Sequence, residues 1–321
     1  MTRKISMNAN ENISIDDAFK NFINEKIQCE LKEETIKDYE NAWRLFQKYL
    51  HDKQITSLKD INEKDIVNYI SYTREQNENI KDTSINTYLR NIRVILYYFM
   101  ENQYMEIFKI NLLRISRNAK EPYTDEEIEK LIKKPDIKKC DFSEYRNWVL
   151  VCYFIATGNR SKTVRNIKIK DVDIKQRMIH LGVVKNGVPY DIPIPDILYP
   201  ILKEYMKIRG GKSEDYLFCT QYGGQLSADG LKTVIKRYNL SRGVKKTSIH
   251  LFRHYFAKNW IMNEGSSKKL QFALGHSTST MVDNYLNIYG KDLKQDFDMY
   301  NPLGNFKDKM QKTKIIVKRN K

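Results

Sequence analysis

The spacing of the apolar residues changes near residue 110, which divides the chain into two parts and restricts the folds that it can adopt. Before this point, apolar residues recur at helical spacing over four segments; after it, helical segments are mixed with short strand-like runs. The segment between them, 109–120, reads KINLLRISRNAK, with four basic residues and no acid. The chain's 321 residues also exceed the about 250–300 at which one core usually stops growing. We therefore expect two domains, joined by a basic linker over 109–123.

Residues 13–108 carry the four helical patterns and are expected to form a helical domain after a polar tail over 1–12. Ser14, followed by Asp17 three residues later, is a pattern typical of a helix N-terminus. The apolar stripes predict four helices: one capped by Ser14, one whose stripe runs from Tyr39 to Leu50, one that begins near Asn62 and one that begins at Ser84. Nothing in these stripes has the composition of a catalytic site.

Residues 124–290 are expected to form the second domain. Thr124 and Glu127 make a capping box ahead of an apolar helical stripe. The largely apolar run 145–156 predicts a buried helix that ends at Thr157-Gly158. A short helix is predicted to follow, up to Ile167.

A β-hairpin is predicted in the middle of this domain. The runs 178–184 and 189–194 resemble strands, and Asn186-Gly187 between them is a strong turn signal. The remaining predictions are a short strand at 216–218 and helices at 196–207, 227–238, 247–263, 268–274 and 278–288. The expected fold class is mainly α with a small β-sheet, a helical domain followed by an α+β domain.

The net charge and the cysteine spacing indicate which binding partners and which cellular compartment to expect. The net charge is +16 and the pI about 9.4, which favours a polyanion such as double-stranded DNA. Between Asp229 and Glu264 no acidic residue occurs, whereas eight basic residues do. The four cysteines show no metal-binding spacing and predict a reduced, cytoplasmic protein. The longest apolar run, 148–156, is too short to cross a bilayer, and no secretory signal is found at the start of the sequence.

Residues suited to handling a phosphate gather between His250 and Tyr285. The sequence reads HLFRH at 250–254 and LGH at 274–276, and Tyr285 follows nine residues later. Breaking a DNA strand without a metal requires a nucleophile, cations for the developing charge and an acid for the leaving oxygen. Metal-dependent nucleases need clustered carboxylates instead, and none stands out here. These residues favour a covalent mechanism.

These motifs resemble those of the tyrosine recombinases, the phage-integrase family of DNA breaking-and-joining enzymes. Thr157–Ser161 matches the TG-x-R-x box of the family, and the lysine on the predicted hairpin turn precedes a strand like the family's V-P-L. The resemblance covers the whole second domain, and the first resembles the family's core-binding module. It implies the site residues Arg160, Lys185, His250, Arg253, His276 and Tyr285. Each has an ordinary structural role when taken alone, but order, spacing and residue type agree together.

The resemblance also implies a role for each residue. Tyr285 attacks the scissile phosphate and forms a 3′-phosphotyrosyl bond. Arg160 and Arg253 clamp the non-bridging oxygens, where planar guanidinium groups suit bidentate contact. His250 handles the proton of the tyrosine. The phosphotyrosyl bond stores the energy, so no ATP is required, and the cationic side chains do the work that a metal does in other nucleases.

Two further residues complete the implied site, and one position departs from the family. Lys185 protonates the leaving 5′ oxygen, and His276 donates a hydrogen bond to the phosphate. Position 163, three after the first arginine, is often acidic in the family, whereas this chain has Thr163. His254, next to Arg253, is expected to support packing rather than chemistry.

The most specific expectation is a clamp-like, site-specific recombinase or integrase that acts as a homo-tetramer on paired half-sites. A mobile-element integrase and an Xer-like recombinase both fit the pattern. The alternatives are a type IB topoisomerase-like enzyme and a catalytically inactive DNA-binding module. The tail 291–321 holds Leu293 and Phe297 four residues apart, which suits docking on a neighbouring protomer or on its own domain. Expected DNA contacts are Arg90, Arg93, Arg114, Arg117, Lys232, Lys236, Arg242 and Lys245.

Overall fold

The computed structural model describes residues 13–115, 121–182 and 189–275, together with Thr278, Val282, Asp283 and Tyr285. The chain divides into two compact units, 1–118 and 119–321. The division falls inside the segment predicted as the linker.

Over residues 13–115, the first unit contains four α-helices, as predicted. They are α1 (Ile15–Gln28), α2 (Glu33–Asp52), α3 (Glu63–Gln76) and α4 (Asp82–Glu101). The Ser14 side chain accepts a hydrogen bond from the Asp17 amide, which confirms the predicted cap of α1. Asn62 caps α3 in a capping box with Asp65. Helix α4 begins at Asp82, two residues before the predicted start at Ser84, and Lys81 is its N-cap residue.

The core of the first unit forms mainly between α2 and α4. Trp43 of α2 is almost fully buried, stacks on Phe19 at 5.1 Å and meets Phe99 of α4 edge-on at 5.5 Å. Beyond α4, Ile110 is 2% exposed, and Asn86 bonds both the amide and the carbonyl of Leu113, at 2.8 and 2.9 Å. The start of the predicted linker therefore packs on the helical unit.

The second unit combines helices with one small sheet. Three helices come first: α5 (Asp125–Ile132), α6 (Phe142–Thr157) and α7 (Ser161–Asn166). The three strands follow: β1 (Val172–Asp173), β2 (Met178–Leu181) and β3 (Tyr190–Pro193). After the sheet come α8 (Leu198–Arg209), α9 (Ala228–Ser241), α10 (Ile249–Met262) and α11 (Ser267–Ala273). The strands pair antiparallel in the order β1-β2-β3, which confirms the two predicted strands and adds β1.

The predicted strand at 216–218 is wrong. Leu217 donates its amide to the carbonyl of Ile167, and Tyr216 makes one isolated bridge with Lys168. Leu217 and Phe218 are fully buried. Their apolar character reflects a buried connection, which local periodicity does not distinguish from a strand. Within the last predicted helix, Val282, Asp283 and Tyr285 are helical, while Leu293 and Phe297 of the tail lie outside the described residues.

Helix α6 is the centre of the second unit and leads to the candidate site. Its residues from Trp148 to Phe154 are all buried, because α5, α8, α9 and α10 pack around it. Phe154 stacks on Phe252 of α10, and Phe252 stacks on Tyr123 at 4.4 Å. Tyr123 is the last residue of the predicted linker, 109–123, and packs in the core of the second unit. Within the described ranges, no helix is both long and apolar enough to cross a membrane.

Candidate active site

The candidate site is built where α6 ends. Gly158 caps the helix in the left-handed conformation, with φ 61°. A Cβ at this position would lie 2.8 Å from Leu274 Cδ2 and 2.8 Å from Phe256 Cδ1. Only glycine accommodates both the backbone angle and the close approach. The turn therefore brings the Gly158 carbonyl close to α10.

Arg253 projects from α10 into this corner. Its Nη1 donates to the Gly158 carbonyl and its Nη2 to the Leu274 carbonyl, each at 2.9 Å. The residue is only 6% exposed. These two bonds fix the plane of the guanidinium, so its position is set before any ligand arrives.

Arg160 reaches the same corner from the other side of the turn. It is the N-cap residue of α7 and is partly buried. Its Nη1 donates to the Gly275 carbonyl at 3.1 Å and makes a long contact of 3.5 Å with the Leu274 carbonyl. Both arginines thus reach the Leu274 carbonyl, and Arg160 also bonds Gly275. The structure brings these two of the residues implied by the resemblance together.

The surroundings of Arg253 favour an anion. Burial, followed by the charge of Arg160, lowers the pKa of Arg253 to about 10, even though Tyr285 and Tyr190 act in the opposite direction. A hydrogen bond with Tyr285 also helps to retain its charge. Two cations this close repel one another, so an anion placed between them would be stabilised.

Tyr285 lies beside Arg253, the buried member of this pair. It is 7% exposed and belongs to an apolar cluster with Ala257, Leu270, Leu274 and Val282. Its ring meets that of His254 edge-on, with centroids 5.4 Å apart and an interplanar angle of 64°. The apolar cluster and the imidazole together fix the phenol beside Arg253.

His250 lies in the first turn of α10 and is exposed. It borders a cavity of about 320 Å³, which is lined by Ser161, Lys232, Thr233, Lys236, Thr247, Ser248 and Ile249. Hydroxyl groups and lysine ammonium groups are suitable donors for the phosphates of a DNA backbone.

Lys185 and His276 lie outside the described residues, but the chain beside each of them is described. Tyr190 starts β3 and pairs with Leu181 of β2, so the two strands flank the segment that contains Lys185. Gly275, directly before His276, is bonded to Arg160. Thr163, at the position where the family often has an acid, is buried in α7.

The predicted DNA contacts fall into three groups. Arg90, Arg114, Lys232, Lys236 and Lys245 are exposed, and Arg93 is half-buried. Arg242 instead donates to the Lys133 carbonyl at 2.9 Å and lies over the Tyr238 ring. Arg117 lies outside the described residues.

His254 was expected to support packing, and its ring packs edge-on against Tyr285. One other residue at the site, Tyr190, escaped the sequence analysis. Tyr190 had no local signal, because its contacts are with residues far away in the chain. No group of three or more histidine, cysteine or acidic side chains suited to a metal occurs in the part of the chain that the structure describes.

Two family descriptions match the chain. Residues 122–291 match the Phage integrase family, and residues 17–103 match the description "Phage integrase, N-terminal SAM-like domain". The first match alone spans more than half of the chain.

Curated proteins and solved structures give similar likenesses. The chain is 22% identical over 298 residues to the tyrosine recombinase XerD of Staphylococcus epidermidis, covering 90% of this chain and 99% of that protein. It is 26% identical over 245 residues to the tyrosine recombinase XerA of Pyrococcus furiosus, covering 75% and 82%. The fold resembles a lambda integrase dimer bound to a COC′ core site, with a TM-score of 0.68, 17% identity and coverage of 86% and 78%. It also resembles the Tn1549 transposon integrase in complex with transposon right end DNA, with a TM-score of 0.69, 19% identity and coverage of 85% and 94%.

Proposed function

This chain belongs to the phage integrase family and is a tyrosine recombinase, and we propose that it cuts and rejoins double-stranded DNA at paired half-sites through Tyr285. The observation that carries the proposal is the position of Tyr285 beside the buried Arg253, whose guanidinium approaches that of Arg160. A scissile phosphate bound there would face the phenol and both guanidinium groups.

The proposed reaction exchanges one ester for another. The phenolic oxygen of Tyr285 forms a bond to phosphorus as the bond between phosphorus and the 5′ oxygen breaks. Arg160 and Arg253 stabilise the charge that develops on the non-bridging oxygens, and their bonds to backbone carbonyls hold them in place beforehand. A 5′ hydroxyl from another strand then attacks the phosphotyrosine and releases the enzyme. Because one phosphoester is exchanged for another, the cycle needs no ATP, and the two arginines stabilise the charge that a metal would otherwise neutralise.

Proton transfer is assigned to residues around this pair. His250 takes the proton of Tyr285, because a protonated phenol is a poor nucleophile. Lys185 gives a proton to the leaving 5′ oxygen. His276 donates a hydrogen bond to the phosphate.

The cavity beside His250 is assigned to the DNA backbone. Its lysines and hydroxyl groups lie on α9 and at the start of α10, next to the proposed scissile site. We assign the exposed Arg90 and Arg114, together with Lys245, to further phosphate contacts. We also assign the protein to the cytoplasm, an assignment that the free cysteines and the proposed DNA substrate support.

Assembly into a homo-tetramer is assigned to the tail. An apolar groove of about 530 Å³ lies in the second unit and is lined by Ile192, Pro193, Pro195, Phe256, Trp260 and Phe272, among others. Lys268 and Lys269 also line it. The segment 291–300 of a neighbouring protomer suits this groove, since it offers Leu293 and Phe297 as apolar residues and three aspartates to the lysines.

The proposed activity is tested with DNA that traps the covalent intermediate. Nicked duplexes with randomised arms are incubated with the protein, and adducts that survive denaturation are isolated and sequenced. A recombinase yields an adduct on a recurring sequence, whereas an inactive binding module yields none. Strand exchange between two duplexes of that sequence, compared with relaxation of one supercoiled circle, distinguishes a recombinase from a topoisomerase. Mapping the DNA ends joined in vivo then separates a mobile-element role from an Xer-like role.

A further inference from the structure

We propose that Tyr190 is a positioning residue of the site, which aligns the turn of Arg160 with the turn that precedes His276. The inference rests on the proposed function, because it concerns how the same site is held together. Tyr190 begins β3, five residues after Lys185. Its side chain therefore connects the strand that follows the hairpin segment to the arginine corner.

The first contact is with the turn of Arg160. The Tyr190 hydroxyl donates to Asn159 Oδ1 at 3.4 Å, and Asn159 is only 2% exposed. The other end of that amide donates from Nδ2 to the hydroxyl of Tyr153, in the buried helix α6, at 3.0 Å. Asn159 lies between Gly158, which accepts from Arg253, and Arg160. A small rotation of the Asn159 backbone would displace both arginine contacts.

The second contact is with the turn before His276. A Cβ at Gly275 would lie 2.7 Å from the Cε1, the Cζ and the hydroxyl oxygen of Tyr190, so the ring packs directly on the glycine backbone. Gly275 has φ +59°, and its carbonyl accepts from Arg160. Phe272 meets the Tyr190 ring edge-on at 6.1 Å, which restricts the ring from another side.

The electrostatic surroundings agree with this placement. Burial raises the pKa of Tyr190, and the charges of Arg253 and Arg160 act against that rise. The phenol is therefore protonated at neutral pH and able to donate to Asn159, and both guanidinium groups lie near enough to affect it. One side chain thus contacts the Asn159 side-chain amide on one side of the arginine pair and the Gly275 backbone on the other.

The test compares Tyr190→Phe with Tyr205→Phe. Both variants remove one hydroxyl from a tyrosine of the second unit, but the Tyr205 hydroxyl bonds the Leu217 carbonyl in the core. We expect the Phe variant at 190 to form the covalent adduct about 3- to 10-fold more slowly, which matches the loss of one hydrogen bond. Tyr205→Phe should lower thermal stability without slowing the adduct. Combining Tyr190→Phe with Asn159→Ala should slow the adduct no more than Asn159→Ala alone, because both act through the same bond.

A second measurement needs no DNA. Hydrogen exchange of the free full-length protein should become about 3- to 10-fold faster in peptides covering 157–161 and 270–275 in Tyr190→Phe, with the rest of the chain unchanged. Exchange at the wild-type rate in both peptides would overturn the proposal, as would an adduct rate equal to that of the wild type. Failure of the wild-type protein to form any adduct would instead overturn the proposed function, while the exchange result would still decide the role of Tyr190.

Discussion

Arg253 donates a hydrogen bond to the carbonyl oxygen of Gly158 at 2.9 Å, across 95 positions of the chain. The bond joins α10 to the end of the buried helix α6 and aims the guanidinium at Tyr285 and Arg160. It depends on a glycine, because the carbonyl points this way only when Gly158 is left-handed and packs closely on Leu274 and Phe256.

Replacing this glycine is expected to damage both stability and chemistry. Gly158→Ala should lower the free energy of unfolding by about 2–4 kcal/mol, because it adds backbone strain and overpacking. Gly243→Ala is the matched control, since Gly243 has φ +74° with no atom within 4 Å of an added Cβ. The control should lose about 1–2 kcal/mol, from strain alone. Urea unfolding measures both, and equal losses would show that the close packing at Gly158 contributes nothing.

Lys185 is expected to act as the acid for the leaving 5′ oxygen. Lys185→Ala should slow cleavage of ordinary DNA and recover on a substrate with a 5′-bridging sulfur, which leaves without protonation. Arg160→Lys should stay impaired on both substrates, because the planar guanidinium of Arg160 stabilises charge and does not donate the proton. Single-turnover rates on the two substrates provide the comparison. Equal impairment of Lys185→Ala on both would remove the lysine from this role.

Alkaline pH is expected to destabilise the first unit through its buried phenols. Burial raises the pKa of Tyr69 to about 12, and burial together with the Asp65 carboxylate raises the pKa of Tyr49 to about 12. The unfolded pKa is near 10, so this contribution to stability is complete below pH 10 and is lost as pH rises towards 12. Within that window, each phenol lowers the free energy of unfolding by up to about 1.4 kcal/mol per pH unit. Urea unfolding between pH 9 and pH 11 should therefore show a shallower decline for Tyr69→Phe; an unchanged slope would contradict the assignment.

The tail is expected to link protomers through the apolar groove. Truncation after Gly290 should preserve binding to one half-site but weaken cooperative filling of the second, and it should stop strand exchange. Phe272→Ala should have the same effect on cooperativity, because Phe272 lines the groove and is 64% exposed. Ile208→Ala, which alters an exposed apolar residue of α8 outside the groove lining, is the control. Gel-shift titrations on single and paired half-sites measure this, and full cooperativity in the truncated chain would exclude the tail as the link.

The sequence predicted the parts of the site that local patterns encode. The apolar run of α6 and the Thr-Gly that follows it located the helix end and Arg160, and the spacing of His250 and Arg253 placed both on α10. Tyr190 could not be found this way, because its contact with Gly275 joins distant residues and leaves no periodic signal. Local periodicity also failed at Leu217. This residue is buried and bonds the Ile167 carbonyl, but it does not belong to a strand.

The central claim is that Tyr285 is the nucleophile, and mapping the covalent bond tests it most directly. The wild-type protein is trapped on a nicked duplex, digested with protease, and the phosphotyrosyl peptide is sequenced by mass spectrometry. We predict that the DNA is attached to Tyr285, that Tyr285→Phe forms no adduct while its half-site Kd stays within about twofold of the wild type, and that Tyr289→Phe still forms the adduct. An adduct on Tyr289, or any adduct formed by Tyr285→Phe, would contradict the account.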